Sequence, residues 1–140
     1  MKKIAICYPT FGLFADLVKE TIKNMGYEVG EFFDHIKVAK CLLLGNCDLG
    51  IVYCGTNLEL ISKIHRFNNI RCAQLDQKIV IKKAREMVDA NVLCVVDKDI
   101  TEEEFVDILK TYLKTEYIST PENDRIVKMI DQLSKDELIS

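Results

Sequence analysis

The sequence predicts an α/β domain of the three-layer, Rossmann-like kind: a five-stranded parallel sheet between helices, with one helix added at the C-terminus. Two observations predict it. Short β-type runs alternate with helix-type runs from one end to the other. The strand-type runs, above all Val92–Val96, are continuously apolar rather than alternating, the pattern of strands buried on both faces. Lys3–Cys7 reads as the first strand. Leu13, Leu17, Ile22 and Met25 then recur at roughly helical spacing in a segment that opens at Gly12 and stops at Gly26. Glu28–Phe33 reads as the second strand, and Ile36–Leu44 as a short helix closed by Gly45-Asn46. Leu49–Tyr53 reads as the third strand, followed by an Asn57–Phe67 helix with Leu60, Ile61 and Ile64 on one side. Arg71–Leu75 supplies a fourth strand, and Asp76 is placed to cap a helix running through Val88. After the fifth strand, Thr101 and Glu104 form a capping-box signature ahead of Phe105, Ile108, Leu109 and Tyr112, an i, i+3, i+4, i+7 stripe. Thr120-Pro121 opens the last helix, with Pro at its tolerated first position and Ile126, Ile130 and Leu133 as its stripe.

Composition narrows the class. The 140 residues are 49% hydrophobic and 29% charged, with only six glycines and two prolines, so a disordered or collagen-like chain is excluded. A chain of this length builds its own core, and residues 1–140 read as a single domain. No apolar run approaches a membrane span, and Met1–Cys7 reads as a strand rather than a signal peptide, which implies a cytoplasmic protein without a membrane partner. Nineteen basic against twenty-two acidic residues give a net charge of −3 and no dense basic stripe, which speaks against nucleic-acid binding. The six cysteines show no Cys-x-x-Cys spacing, and His35 and His65 stand apart from them. Reduced thiols, several of them in the core, are therefore expected, with neither metal nor cofactor.

Ligands of such sheets bind beyond the carboxyl ends of the strands, which directs attention to residues 7–12, 34–36, 54–59, 76–78 and 97–101. The most informative stretch is Ile51-Val52-Tyr53-Cys54-Gly55-Thr56-Asn57-Leu58-Glu59. It places a cysteine at the end of a buried strand, just ahead of a helix. The N–H groups and partial positive charge of that helix terminus would lower the thiol pKa and make Cys54 a usable base; the plain alternative is a small residue filling a strand end. Gly55 permits close approach of backbone to a ligand. Thr56 and Glu59 form a second capping box, in which Glu59 would reach back to the Thr56 amide and occupy it.

Gly26-Tyr27-Glu28-Val29, the run Gly45–Thr56 and Asp89-Ala90-Asn91-Val92-Leu93 together resemble one family, the type B ribose-5-phosphate isomerases and the two subunits of galactose-6-phosphate isomerase. The resemblance runs nearly end to end. Glu116-Tyr117 with Thr120-Pro121-Glu122-Asn123 is most similar to the B subunit of the galactose-6-phosphate enzyme. It implies aldose–ketose isomerisation of a sugar phosphate through an enediolate, with Cys54 at the position of the base. Gly55 and Thr56 then begin the loop whose amides and hydroxyl hold the intermediate, and Asn57 follows in it. Arg66, Lys98 and Arg125 are the candidate phosphate ligands, with Arg71 and Arg85 as further basic candidates. The resemblance also implies a homodimer or tetramer, or a hetero-oligomer with a related subunit. Tyr112, Leu113, Tyr117 and the last helix's stripe would supply the surplus apolar surface.

The departures from the family pattern are equally specific. Tyr8, Pro9, Thr10 and Phe11 replace its Asp-His pair, and Asn57 and Glu59 replace two loop glycines. Met87-Val88 replaces the ring-opening His-Asn, and Lys98 is the only basic residue after the fifth strand where the family has Arg. A second reading therefore stands beside the enzyme: a catalytically weak or silent paralogue that binds a metabolite or supports a partner subunit.

Overall fold

The computed structural model describes residues 2–8, 13–56 and 58–133. The elements follow as β1 (Lys3–Cys7), α1 (Leu13–Asn24), β2 (Glu28–Phe32), α2 (His35–Leu43), β3 (Leu49–Gly55), α3 (Leu58–His65), β4 (Cys72–Gln74), α4 (Lys78–Val88), β5 (Val92–Val96), α5 (Glu102–Lys114) and α6 (Pro121–Leu133). The strands form one sheet in the order β2-β1-β3-β5-β4. Every pairing is parallel, as continuous apolar strands require. This is the expected architecture.

Alternation along each strand divides the core in two. Ile4, Ile6, Leu49, Ile51, Leu93 and Val95 face α1, α4 and α5, which contribute Val18, Ile22, Ile81, Phe105 and Leu109. Ala5, Cys7, Val52, Cys54, Val92 and Cys94 face α2 and α3, which contribute Val38, Ala39, Ile61 and Ile64. On this second side the sheet is surfaced by small residues, so α2 lies close. A Cβ built on Gly50 would stand 2.8 Å from Val38 Cγ1.

Several local expectations are corrected. Asp76 does not cap α4: the N-cap is Gln77, without a side-chain bond, while Asp76 Oδ1 accepts from the Gln77 amide at 2.7 Å. At α5, Thr101 does accept from the Glu104 amide at 3.1 Å, but the Glu104 carboxylate takes the Thr101 hydroxyl proton at 3.2 Å instead of reaching back to the backbone. Tyr112 and Leu113 are not surplus surface. Both are fully buried, and the Tyr112 hydroxyl donates to the Gly50 carbonyl at 2.9 Å. α6 packs against α4, leaving Ile126 and Ile130 half-buried and Leu133 72% exposed.

Candidate active site

Strand order reverses on either side of β3, which therefore delivers its carboxyl end, Tyr53-Cys54-Gly55, to the place where such sheets take ligands. The register with β5 slips between Tyr53 and Gly55, pairing Tyr53 with Val95 and Gly55 with Val96. Gly55 takes up that irregularity at φ +57°, a left-handed conformation that glycine adopts without strain. Cys54, Gly55 and Thr56 thus sit together at the mouth. Asn57, the next expected ligand, lies outside the described residues, as do Pro9, Thr10 and Phe11 of the stretch that replaces the family's Asp-His pair.

Cys54 is 5% exposed, turned towards α2 and α3, with its thiol donating to the Val52 carbonyl at 3.6 Å. A hydrogen bond to the Cys94 thiol and burial push its pKa far above the ordinary thiol range. The expectation of a lowered pKa is therefore overturned. The physical reason is local: α3 begins at Leu58, four positions further on, while the thiol is packed among apolar groups and a second thiol. Cys7, at the end of β1, is likewise pushed up to about 11 by burial and by the Asp34 charge.

The second capping box does not close. The Glu59 carboxylate points along α3 to Lys63, at 3.1 Å, and makes no bond to the Thr56 amide. Thr56 is exposed, and its amide is not taken by Glu59.

The basic candidates divide. Lys98 stands at the mouth, following β5, with Nζ 3.5 Å from Asp76 Oδ1. Arg66 is exposed beyond the far end of α3, about 12 Å of helix from Thr56. Arg125 is exposed on α6, away from the β3 loop in the chain's packing. Arg71 and Arg85 are structural. Arg71 binds Asp131 at 3.0 Å and the Asp89 carbonyl at 2.8 Å. Arg85, 5% exposed, donates to the Thr115 and Ala90 carbonyls and lies over the Tyr112 ring.

One pair at the mouth escaped the sequence reading. The Tyr53 hydroxyl donates to Asp97 Oδ1 at 2.6 Å, across 44 positions of chain. That bond raises the pKa of the phenol. Tyr8, from the end of β1, stacks on Tyr53 with ring centroids 5.8 Å apart. The available signal was a tyrosine in an otherwise aliphatic strand and an acid at the end of the strand destined to lie beside it.

A five-stranded parallel sheet covered by helices, with Cys54 and Gly55 at the end of its central strand, defines an α/β domain of the Rossmann-like kind. The ribose/galactose isomerase family model matches residues 14–130, and the chain belongs to that family. It is 29% identical over 131 residues to the galactose-6-phosphate isomerase subunit LacB of Clostridium acetobutylicum, covering 86% of this chain and 76% of that one. Among solved structures, the ribose 5-phosphate isomerase of Thermotoga maritima superposes with a TM-score of 0.81 at 27% identity, over 94% of this chain and 99% of that one. Ribose-5-phosphate isomerase B of Clostridium thermocellum gives 0.78 at 29% identity, over 93% and 96%.

Proposed function

We propose that the chain is an aldose–ketose isomerase, or a subunit of one, acting on a sugar phosphate such as ribose 5-phosphate or galactose 6-phosphate. The observation that carries this reading is the match to the isomerase family over residues 14–130, with Cys54-Gly55-Thr56 at the strand reversal. In the proposed reaction Cys54 takes the proton from the carbon beside the carbonyl, the thiol exchanges it with solvent while the enediolate is held, and a proton returns to the neighbouring carbon. Amides of the Gly55–Asn57 loop and the Thr56 hydroxyl hold the enediolate oxygens. Lys98, Arg66 and Arg125 are the proposed phosphate ligands, the last two within reach only if a neighbouring subunit presents them.

A second reading is favoured by the Cys54 thiol itself. Buried and protonated, it supports a weak or silent subunit whose turnover depends on a related partner. Either way the working unit is proposed to be one domain over 1–140 in a cytoplasmic homodimer, tetramer or hetero-oligomer. No described helix is long and apolar enough to cross a membrane. Exposed Ile118, Met129 and Leu133 are apolar surface that a second subunit would cover.

The test is solvent-deuterium incorporation into ribose 5-phosphate and galactose 6-phosphate, followed by NMR with the chain alone and with a related subunit. Exchange by the chain alone supports the enzyme; exchange only with the partner supports the second reading. No exchange in either case removes both substrates.

A further inference from the structure

The Tyr53–Asp97 pair is built over the mouth rather than beside it. A Cβ placed on Gly55 would lie 3.4 Å from the Tyr53 hydroxyl and 3.6 Å from Asp97 Oδ2, so both polar groups overhang the Gly55 backbone. The Asp97 amide donates to the Gly55 carbonyl at 3.1 Å, tying the two strand ends together. Tyr53 is in turn braced by the Tyr8 ring. Asp97 is therefore a positioned carboxylate.

Its charge is not neutralised. Among the described residues no Lys or Arg lies within ion-pair distance of Asp97, since Lys98 pairs with Asp76 instead. Oδ1 is taken by the phenol, whereas Oδ2 has no hydrogen-bond partner among the described residues. An oxygen of that kind accepts hydroxyl protons and repels anions. A phosphate dianion about 5 Å from one carboxylate loses roughly tenfold in affinity even in a water-like dielectric.

We infer that Asp97, held in place by Tyr53, is a specificity-determining residue that admits the uncharged, hydroxyl-bearing end of the ligand over Gly55 and excludes a phosphoryl group from it. One ligand hydroxyl donates to Asp97 Oδ2 and a neighbouring one to the Tyr53 oxygen. A sugar phosphate then enters with its carbonyl end at Cys54 and its phosphate directed away. The inference rests on the reading of the mouth as the sugar site. It assigns the negative charge there to Asp97 and not to Glu59, which is paired with Lys63.

Binding tests this without turnover. The amide signals of Gly55 and Thr56 are followed by NMR while inorganic phosphate, and separately ribitol, is added to wild type, Asp97→Asn and Glu59→Gln. Asparagine still accepts the Tyr53 proton, so the substitution removes charge and keeps the brace. The expected result is phosphate binding at least about tenfold tighter in Asp97→Asn than in wild type, ribitol binding weakened by the same change, and Glu59→Gln within twofold of wild type. Phosphate affinity equal in wild type and Asp97→Asn, or absent from both, overturns the inference, as does a gain in Glu59→Gln that matches Asp97→Asn. Failure of deuterium exchange would remove both sugar phosphates as substrates and leave these binding results standing.

Discussion

Arg71 and Asp131 meet at 3.0 Å and join the approach to β4 with the last helix. Their side chains are only 11% and 24% exposed, so the pair is better shielded than an ordinary surface ion pair. Arg71 also holds the Asp89 carbonyl, at the left-handed C-cap of α4. Asp131→Ala is expected to cost about 1–2 kcal/mol, between the surface and fully buried limits. Hydrogen exchange should rise selectively in α6. An unchanged exchange pattern there would mean that Ile126 and Ile130 alone dock the helix.

Gly50 sets how closely α2 approaches the sheet. Its added Cβ would meet Val38 Cγ1 at 2.8 Å and Leu42 Cδ1 at 3.3 Å, and Val38 is a stiff, fully buried side chain on a helix. Gly50→Ala is expected to destabilise by about 1–3 kcal/mol through overpacking, read as a lower urea midpoint at unchanged m-value. A neutral substitution would show that α2 can move outwards freely.

The fold was legible because its signals are local. Apolar runs such as Val92–Val96, the Thr101 cap and the Phe105–Tyr112 stripe each announce an element without reference to any other. The strand order was not legible, since the placement of β5 between β3 and β4 is decided by packing of distant segments. The same distinction governs the site. The position of Cys54 at a strand end was readable, but its environment was not: the thiol's pKa is set by Cys94, forty positions away on the neighbouring strand. The Tyr53–Asp97 bond is likewise a product of the β3–β5 pairing. Reading Thr56-x-x-Glu59 as a closed box failed because Lys63, one helical turn on, competes for the carboxylate.

Thiol reactivity should follow burial rather than proximity to α3. Cys72 alone among the six cysteines is half-buried, and the others are buried. At neutral pH, Cys72 is expected to alkylate first and Cys54 more slowly, as mass spectrometry of a limited iodoacetamide reaction would show. Preferential labelling of Cys54 would require a thiolate that its surroundings disfavour.

The same buried thiols link stability to alkaline pH. Cys7, Cys47, Cys54 and Cys94 have native pKa values raised chiefly by burial or by hydrogen bonding to another thiol. The native state therefore holds protons that the unfolded chain releases near pH 9. Their contribution is fully present below that pH and is lost as pH rises towards the native values. Stability to urea should be insensitive to these groups from pH 6 to 8 and fall above pH 9, by about 1.4 kcal/mol per pH unit for each thiol still protonated only in the native state. Replacing Cys7, whose native value is about 11, with Ala should reduce the steepness of that fall between pH 9 and 11.

A base acts in its deprotonated form, and hydrogen bonding to Cys94 with burial holds the Cys54 thiol protonated at neutral pH. If Cys54 moves the proton, the active fraction grows about tenfold for each pH unit below its pKa, so log kcat/KM for deuterium exchange should climb with unit slope from pH 7 to 8.5. No plateau is expected in that interval, which ends before alkaline unfolding intrudes. Cys54→Ala should abolish exchange with the fold retained. Cys94→Ala removes the thiol that raises the Cys54 pKa most and should increase the rate at pH 7. A rate that is flat across the interval, or that survives Cys54→Ala, would assign the proton transfer to another group at the mouth. Asp97 would then be the first to test, because its Oδ2 overhangs the same backbone.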